Sequence, residues 1–105
     1  MIHPSAIVDP KAQLASDVQV GPFTVIGPDV TIGSGTRLLN NVTLTGHVTL
    51  GEQNELYPGV VIGAAPQDLS YQGGETRVEI GDHNIFRESV TVNRASEKEE
   101  SSGPS

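Results

Sequence analysis

The sequence contains no cysteine, so disulfide bonds, thiolate nucleophiles and cysteine-based zinc sites are excluded. Tryptophan is also absent, and only two Phe and two Tyr occur among 105 residues. Six basic residues against thirteen acidic ones give a formal net charge of −7, which argues against nucleic acid or an anionic membrane as partner. The opening "MIHPSAIVDP" lacks the basic start of a secretory signal and the apolar run of a membrane span. We therefore expect one small cytoplasmic domain.

A six-residue repeat organises the chain. Every sixth residue from Ile2 to Ile62 is Ile, Leu or Val, and the residue two places before each of them is small or β-branched in nearly every unit. Residues two apart in a strand point to the same side, so each unit predicts a short strand with two inward side chains. Glycine often follows the large residue, as in "GP" at 21 and 27 and "GS" at 33, and its tolerance of unusual backbone angles suits a sharp corner.

Strands and corners at constant spacing predict a solenoid in which three faces make a coil of 18 residues. An α-helix does not fit, because residues six apart would scatter around its circumference and the frequent Gly and Pro would break it. Successive coils would stack as parallel strands over one thin core. The pattern predicts an all-β parallel β-helix of about five coils, and it leaves the hand of the coil open.

Units such as "IGPDVT", "IGSGTR" and "LGEQNE" resemble the hexapeptide repeat of the left-handed parallel β-helix acyltransferases. The resemblance implies a left-handed coil. The repeat alone says little about substrate, since acetyltransferases, longer-chain acyltransferases and one class of carbonic anhydrases share it.

The repeat lapses once. After Ile62 the next two positions in phase are Asp68 and Gly74, which cannot fill an apolar core, and Ile80 restores the series. We expect a loop excursion at about 64–77, containing "QDLSY" and "GG". Such a loop is either functional or a tolerated insertion.

The stretch "PQDLSYQGGETRVEIGDHNIFRESVTVNRAS", residues 66 to 96, is more specific. Its "QDL", "ETRVEIGD" and "RESVT" resemble the UDP-N-acetylglucosamine O-acyltransferases that begin lipid A biosynthesis. Membership would imply a cytoplasmic homotrimer that needs no cofactor. It would transfer a 3-hydroxyacyl chain from acyl carrier protein to the 3-hydroxyl of UDP-N-acetylglucosamine.

The resemblance also implies site residues. Asp68 and Gln67 carry over as substrate contacts, because a carboxylate at that place can accept hydrogen bonds from sugar hydroxyls. Asn93 is the third candidate substrate contact. It stands where some members have histidine, and Ser70 stands where members often have lysine, so two groups differ from the family's pattern. The alternative for Asp68 is a solvated loop carboxylate. Arg77, Arg87 and Arg94 would either dock an acidic carrier protein or pair with Glu75, Glu79 and Glu88.

No catalytic residue is assigned within the chain. The histidine that acts as the family's catalytic base belongs to a motif in a later coil. None of His3, His47 and His83 lies in that motif. His47 and His83 are 36 residues apart, which on an unbroken 18-residue coil places them on one face two coils apart, about 9.6 Å at the strand spacing. One zinc ion cannot bind both, so no metal site is expected.

We expect a β-helix domain over residues 1–96. Residues 97–105, "EKEESSGPS", are expected to form a polar, disordered tail. Because the family's catalytic histidine is missing, the chain is expected to be inactive alone. Two other functions remain open: a non-catalytic β-helical scaffold, and a different hexapeptide-repeat acyltransferase, which the loop disfavours.

Overall fold

The structure is a computed structural model that describes residues 1–64 and 77–93. These residues form short β-strands joined by tight corners, and the described part contains no helix. The strands are β1 (Ile7–Val8), β2 (Gln13–Leu14), β3 (Gln19–Val20), β4 (Val25–Ile26), β5 (Val30–Ile32), β6 (Arg37–Leu38), β7 (Thr43–Leu44), β8 (His47–Leu50), β9 (Glu55–Leu56), β10 (Val61–Ala64), β11 (Arg77–Ile80), β12 (Ile85–Phe86) and β13 (Thr91–Asn93).

Every third strand pairs in parallel, so the chain winds as a coil with three faces. The first sheet has the order β1-β4-β7-β10-β13, the second β11-β8-β5-β2 and the third β12-β9-β6-β3. Ile2 adds one further parallel bridge to Val20 at the edge of the third sheet. Before β10, partners such as Ile7 and Val25 lie one 18-residue coil apart. The predicted parallel β-helix of about five coils is confirmed.

The core is the inner column of side chains that the six-residue repeat predicts. The large residues from Val20 to Ile62 are all buried, and so are the smaller partners from Val18 to Val60, which include the polar Thr24, Thr36 and Asn54. Members of the first coil are less covered, because only one neighbouring coil lies against them: Ile2 is 48% exposed, and Val8 and Leu14 are partly buried. The inward assignment from the sequence is confirmed.

The corners differ from the sequence prediction. The left-handed residue is the third after the large inward residue, and non-glycine residues occupy it at Phe23, Asn41, Gln53, His83 and Ser89. Gly33, directly after Ile32, does not have a positive φ. A Cβ there would lie 2.7 Å from the carbonyl carbon of Gly51, so Gly33 permits close stacking of two coils rather than a left-handed turn. The expectation that such glycines supply the corner angles is wrong at this position.

The coil that contains the repeat lapse is longer than the others. Its partners lie 30 residues apart, as for Arg77 and His47 or Glu55 and Ile85, instead of 18. The difference is twelve residues, and twelve residues, 65 to 76, separate β10 from β11. Because twelve is two six-residue units, the insertion preserves the phase of the repeat. Every later residue nevertheless lies two faces away from the place that an unbroken count would give it.

This shift corrects the prediction for the histidines. The N–H of His83 donates to the carbonyl of Glu52 over 2.9 Å, so His83 occupies the corner position that Gln53 occupies in the preceding coil. His47 lies instead at the start of β8, in register with Arg77. The two histidines are therefore not on one face two coils apart. No helix within residues 1–64 and 77–93 has the length and apolar character needed to cross a membrane.

Candidate functional site

The candidate site lies where the chain leaves the coil after β10. The predicted excursion at about 64–77 has its two borders within strands, Ala64 at the end of β10 and Arg77 at the start of β11. Gln67 and Asp68, together with Ser70, fall among residues 65–76, outside the described part. Asn93 ends β13, and its backbone position is described.

Asn93 lies beside the start of this excursion. It pairs with Ala64, after a register shift between Ile62 and Ala64 that leaves Val92 opposite Ile62. Ala64 and Asn93, which are 29 residues apart in sequence, thus lie beside each other at one edge of the first sheet.

Gly63 sets the point of departure. Its φ is +91°, in the left-handed region that favours glycine. A Cβ at this position would overlap the carbonyl oxygen of Thr45 and lie 2.9 Å from Val48 Cγ2. The pairing of β10 with β13 changes register next to it, between Ile62 and Ala64. Both the backbone angle and the lack of space explain why glycine occupies this place.

The return into the coil is anchored by strand pairing and by a buried amide. β11 pairs with β8 over four residues, from Arg77 against His47 to Ile80 against Leu50. Asn54, fully buried, donates from Nδ2 to the carbonyl of Gly81 over 2.9 Å. Its Oδ1 accepts the N–H of Asn84 over 2.8 Å. The returning end of the excursion is thus tied to the preceding coil.

A polar groove of about 270 Å³ crosses the outside of the second sheet below Arg77. Four charged or titratable side chains line this groove: Lys11, Asp29, His47 and Arg77. The Nε2 of His47 lies 4.0 Å from an Asp29 carboxylate oxygen, and both side chains are about half exposed. These groups can hydrogen-bond a polar ligand, but the described residues bring no nucleophile and base together here.

Arg87 was expected either to dock an acidic partner or to pair with a neighbouring carboxylate. Its Nε lies 3.2 Å from a carboxylate oxygen of Glu88, and its guanidinium lies 4.4 Å from the centre of the Tyr57 ring. The Glu88 carboxylate accepts a hydrogen bond from its own backbone N–H and a second one from Arg87, and both lower the pKa of this carboxyl. The pairing alternative is confirmed for Arg87, while Arg94 and Glu75 lie outside the described part.

The sequence predicts no metal site. Within residues 1–64 and 77–93, no group of three or more of them is placed to hold a metal ion.

The repeat identifies the class of protein. A model of the bacterial transferase hexapeptide, with six repeats, matches residues 11–46. A crystal structure described as a UDP-N-acetylglucosamine acyltransferase superimposes with a TM-score of 0.91 at 41% identity, over 93% of this chain and 38% of that one. The chain is a left-handed parallel β-helix of the hexapeptide-repeat type, as the resemblance implied.

The chain is similar in sequence to acyl-[acyl-carrier-protein]–UDP-N-acetylglucosamine O-acyltransferases. The acyl-[acyl-carrier-protein]–UDP-N-acetylglucosamine O-acyltransferase of Thermodesulfovibrio yellowstonii is 45% identical over 95 residues, 90% of this chain and 37% of that protein. That of Syntrophobacter fumaroxidans is 47% identical over 97 residues, 92% of this chain and 38% of that protein. The corresponding structure from Acinetobacter baumannii gives a TM-score of 0.90 at 45% identity, over 93% of this chain and 38% of that one.

The resemblance drawn from "QDL", "ETRVEIGD" and "RESVT" is confirmed: the chain matches the N-terminal portion of these acyltransferases. It spans about 37% of the length of the curated relatives it matches.

Proposed function

We propose that the chain is the N-terminal portion of an acyl-[acyl-carrier-protein]–UDP-N-acetylglucosamine O-acyltransferase. The enzyme would transfer a 3-hydroxyacyl chain from acyl carrier protein to the 3-hydroxyl of UDP-N-acetylglucosamine. The observation that supports this most is the identity of 45% or more over nine tenths of the chain to proteins with that name. A second observation is the twelve-residue excursion, which holds the "QDL" motif.

The reaction requires a base for the sugar hydroxyl and donors for the oxyanion formed from the thioester. We propose none of the three histidines as that base. His3 is hydrogen-bonded to the hydroxyl of Ser5 over 2.9 Å, His47 lies next to Asp29, and His83 occupies a left-handed corner. We assign no catalytic residue to this chain, so the base belongs to a part of the enzyme beyond these 105 residues.

The role proposed for this portion is to bind and orient the sugar nucleotide. Asp68 would accept hydrogen bonds from glucosamine hydroxyls, and a carboxylate acceptor gives the stronger kind of hydrogen bond. The amides of Gln67 and Asn93 can donate to the sugar or phosphate and accept from it. The pairing of Asn93 with Ala64 supports a common site, because it places Asn93 at the base of the segment that carries the other two.

Assembly and location follow the same proposal. The enzyme would act in the cytoplasm as a homotrimer, with acyl carrier protein as its second partner and without a cofactor.

A hybrid enzyme tests the function. The portion of the Syntrophobacter fumaroxidans acyltransferase that aligns with this chain is replaced by residues 1–96, and acyl transfer from acyl carrier protein to UDP-N-acetylglucosamine is measured. We expect transfer within about tenfold of the parent enzyme, a difference of about 1.4 kcal/mol in transition-state stabilisation. A hybrid with the parent's circular dichroism and oligomeric state but no transfer would favour the non-catalytic scaffold instead.

The 105-residue chain alone is the matched negative sample. No turnover is expected from it, because the base lies elsewhere. Turnover by this chain would show that one of its own residues acts as the base.

A further inference from the structure

The groove on the second sheet is lined by an ordered row of charged and titratable side chains. Lys11, Asp29, His47 and Arg77 each lie two residues before the outward residue at which successive coils pair. They therefore occupy the same place in four consecutive coils, and neighbours in the row are about 4.8 Å apart along the coil axis. We call these four residues the charge row.

The sign of the charge alternates along the charge row. Lys11 at one end is positive, Asp29 in the next coil is negative, and Arg77 at the other end is positive again. His47 lies between the last two, with its Nε2 4.0 Å from an Asp29 carboxylate oxygen. A ligand that complements this row needs two negative groups with one positive group between them.

Basic side chains are few in this chain, six Lys and Arg against thirteen Asp and Glu. Arg37 is paired with Glu55 at 3.5 Å, and Arg87 is paired with the neighbouring carboxylate at 3.2 Å. Lys11 and Arg77 instead line the groove, one at each end of the charge row. On a molecule with a net charge of −7, two cations at one groove favour the binding of a small anionic group there.

The rest of the groove is polar, and the groove is small. The neighbouring outward row contributes Gln13, Thr31 and Thr49, whose amide and hydroxyl groups donate and accept hydrogen bonds. Glu79 continues that second row on β11 but does not line the groove. The volume of about 270 Å³ is below the roughly 300–1,000 Å³ usual for drug-sized ligands, so the groove suits a small metabolite.

We propose that the groove binds a dicarboxylic amino acid, such as glutamate or aspartate, along the charge row. Asp29 accepts hydrogen bonds from the ammonium group of the ligand. Arg77 binds one carboxylate with two parallel N–H donors, and Lys11 binds the other carboxylate. The acyl transfer proposed above uses no amino acid, so this ligand class goes beyond that reaction.

The number and the order of the charges select this class of ligand. A simple dicarboxylate would bring two anionic groups to either side of Asp29 with no cation between them. A monocarboxylic amino acid would engage Lys11 or Arg77 but not both. The ligand's net charge of −1 offsets the charge of +1 that Lys11, Asp29 and Arg77 carry together. Because these side chains are exposed, salt should weaken the binding.

A comparison of three ligands tests the order of the charges. The full chain is titrated with glutamate, glutamine and glutarate at low salt and about pH 8, where imidazole is neutral, and the amide chemical shifts of Thr49 and Arg77 are followed by nuclear magnetic resonance. We expect glutamate to bind about tenfold more tightly than glutamine, which lacks the second carboxylate, and glutarate, which lacks the ammonium group. Glutarate that binds as tightly as glutamate, or glutamate that causes no saturable shift, would overturn the proposal.

Substitutions locate the site. Arg77→Gln should weaken glutamate binding about tenfold, whereas Arg37→Gln, the same change on the third sheet, should leave it within about twofold. Asp29→Asn should weaken the binding of glutamate but not of glutarate, because it removes the acceptor of the ammonium group. Circular dichroism melts show whether each variant folds.

Unchanged glutamate binding by a folded Arg77→Gln variant, or an equal loss in Arg37→Gln, would contradict the assignment to the groove. An Asp29→Asn variant that still prefers glutamate over glutarate would contradict the role of Asp29. The transfer activity of the hybrid enzyme is measured independently, so neither result decides the proposed function.

Discussion

Asn54 is hydrogen-bonded to Asn84 across the twelve-residue insertion: Asn54 Oδ1 accepts the Asn84 N–H over 2.8 Å, although the two residues are 30 positions apart. The Nδ2 group of the same side chain donates to Gly81 O over 2.9 Å. Thr36 occupies the equivalent inward position one coil earlier and donates to Gly51 O over 3.0 Å. The amide at Asn54 thus bonds a donor and an acceptor of the longer coil.

Asn54→Ala should lower the free energy of unfolding by about 1–3 kcal/mol, because the partly buried N–H of Asn84 and carbonyl of Gly81 each lose their side-chain partner. Asn40→Ala is the control, with a change within about 0.5 kcal/mol, because within the described residues the Asn40 side chain bonds to the neighbouring Asn41 side chain alone. Urea unfolding followed by circular dichroism measures both. Equal losses would show that the hydrogen bonds of Asn54 do not stabilise the longer coil.

Gly63→Ala should destabilise the chain by about 1–2 kcal/mol from its positive φ alone, with overlap against Thr45 adding to this. Gly81 follows Ile80 as Gly63 follows Ile62, but a Cβ at Gly81 would meet no described atom within 4 Å. Gly81→Ala should therefore be neutral, or stabilising by less than about 1 kcal/mol. The midpoints of thermal unfolding of the two variants test this, and a stable Gly63→Ala variant would contradict the described departure from β10.

Asp17 should make stability depend on pH. The hydroxyl of Ser34 at 2.8 Å and the N–H of Gly35 at 3.0 Å donate to its carboxylate, and these bonds lower the pKa of Asp17 below the usual 3.8. A lowered folded-state pKa favours the charged form, so the stabilisation is present above the unfolded pKa and is lost as the pH falls through the folded one.

Asp17→Ala should accordingly be less stable than the wild-type chain near neutral pH, and the difference should shrink in acid below the folded pKa. Urea midpoints measured across this range give the result. In a Ser34→Ala background the effect of Asp17→Ala should be smaller at neutral pH, since the leading hydrogen bond is already absent. A difference that grows in acid would contradict the direction of the shift.

Much of the fold was predictable because burial follows the repeat. The inward series from Val20 to Ile62 needed only a six-residue count, and the place of the lapse after Ile62 followed from Asp68 and Gly74. The position of His83 at a corner could not be predicted from the repeat. Twelve inserted residues equal two repeat units, so a count in sixes cannot distinguish an excursion from two occupied faces.

The corner chemistry was not predictable from glycine alone. Asn41 and Gln53 adopt positive φ because the geometry of the coil requires a left-handed residue at that place, whichever side chain occupies it. The substrate contacts Gln67, Asp68 and Asn93 stay predictions. The sequence signal for them is a motif resemblance, which carries no geometry of its own.

The most direct test of the central claim is the effect of Asp68→Asn on acyl transfer to UDP-N-acetylglucosamine in the hybrid enzyme. Glu79→Gln, the same loss of charge at an exposed position on β11, is the matched control. If Asp68 accepts hydrogen bonds from the sugar, Asp68→Asn should lower kcat/KM about tenfold to a hundredfold, as expected for losing a bond to a charged group. The Glu79→Gln hybrid should stay within about twofold of the unsubstituted hybrid. An Asp68→Asn hybrid as active as Glu79→Gln would contradict the assignment of this segment to the sugar nucleotide.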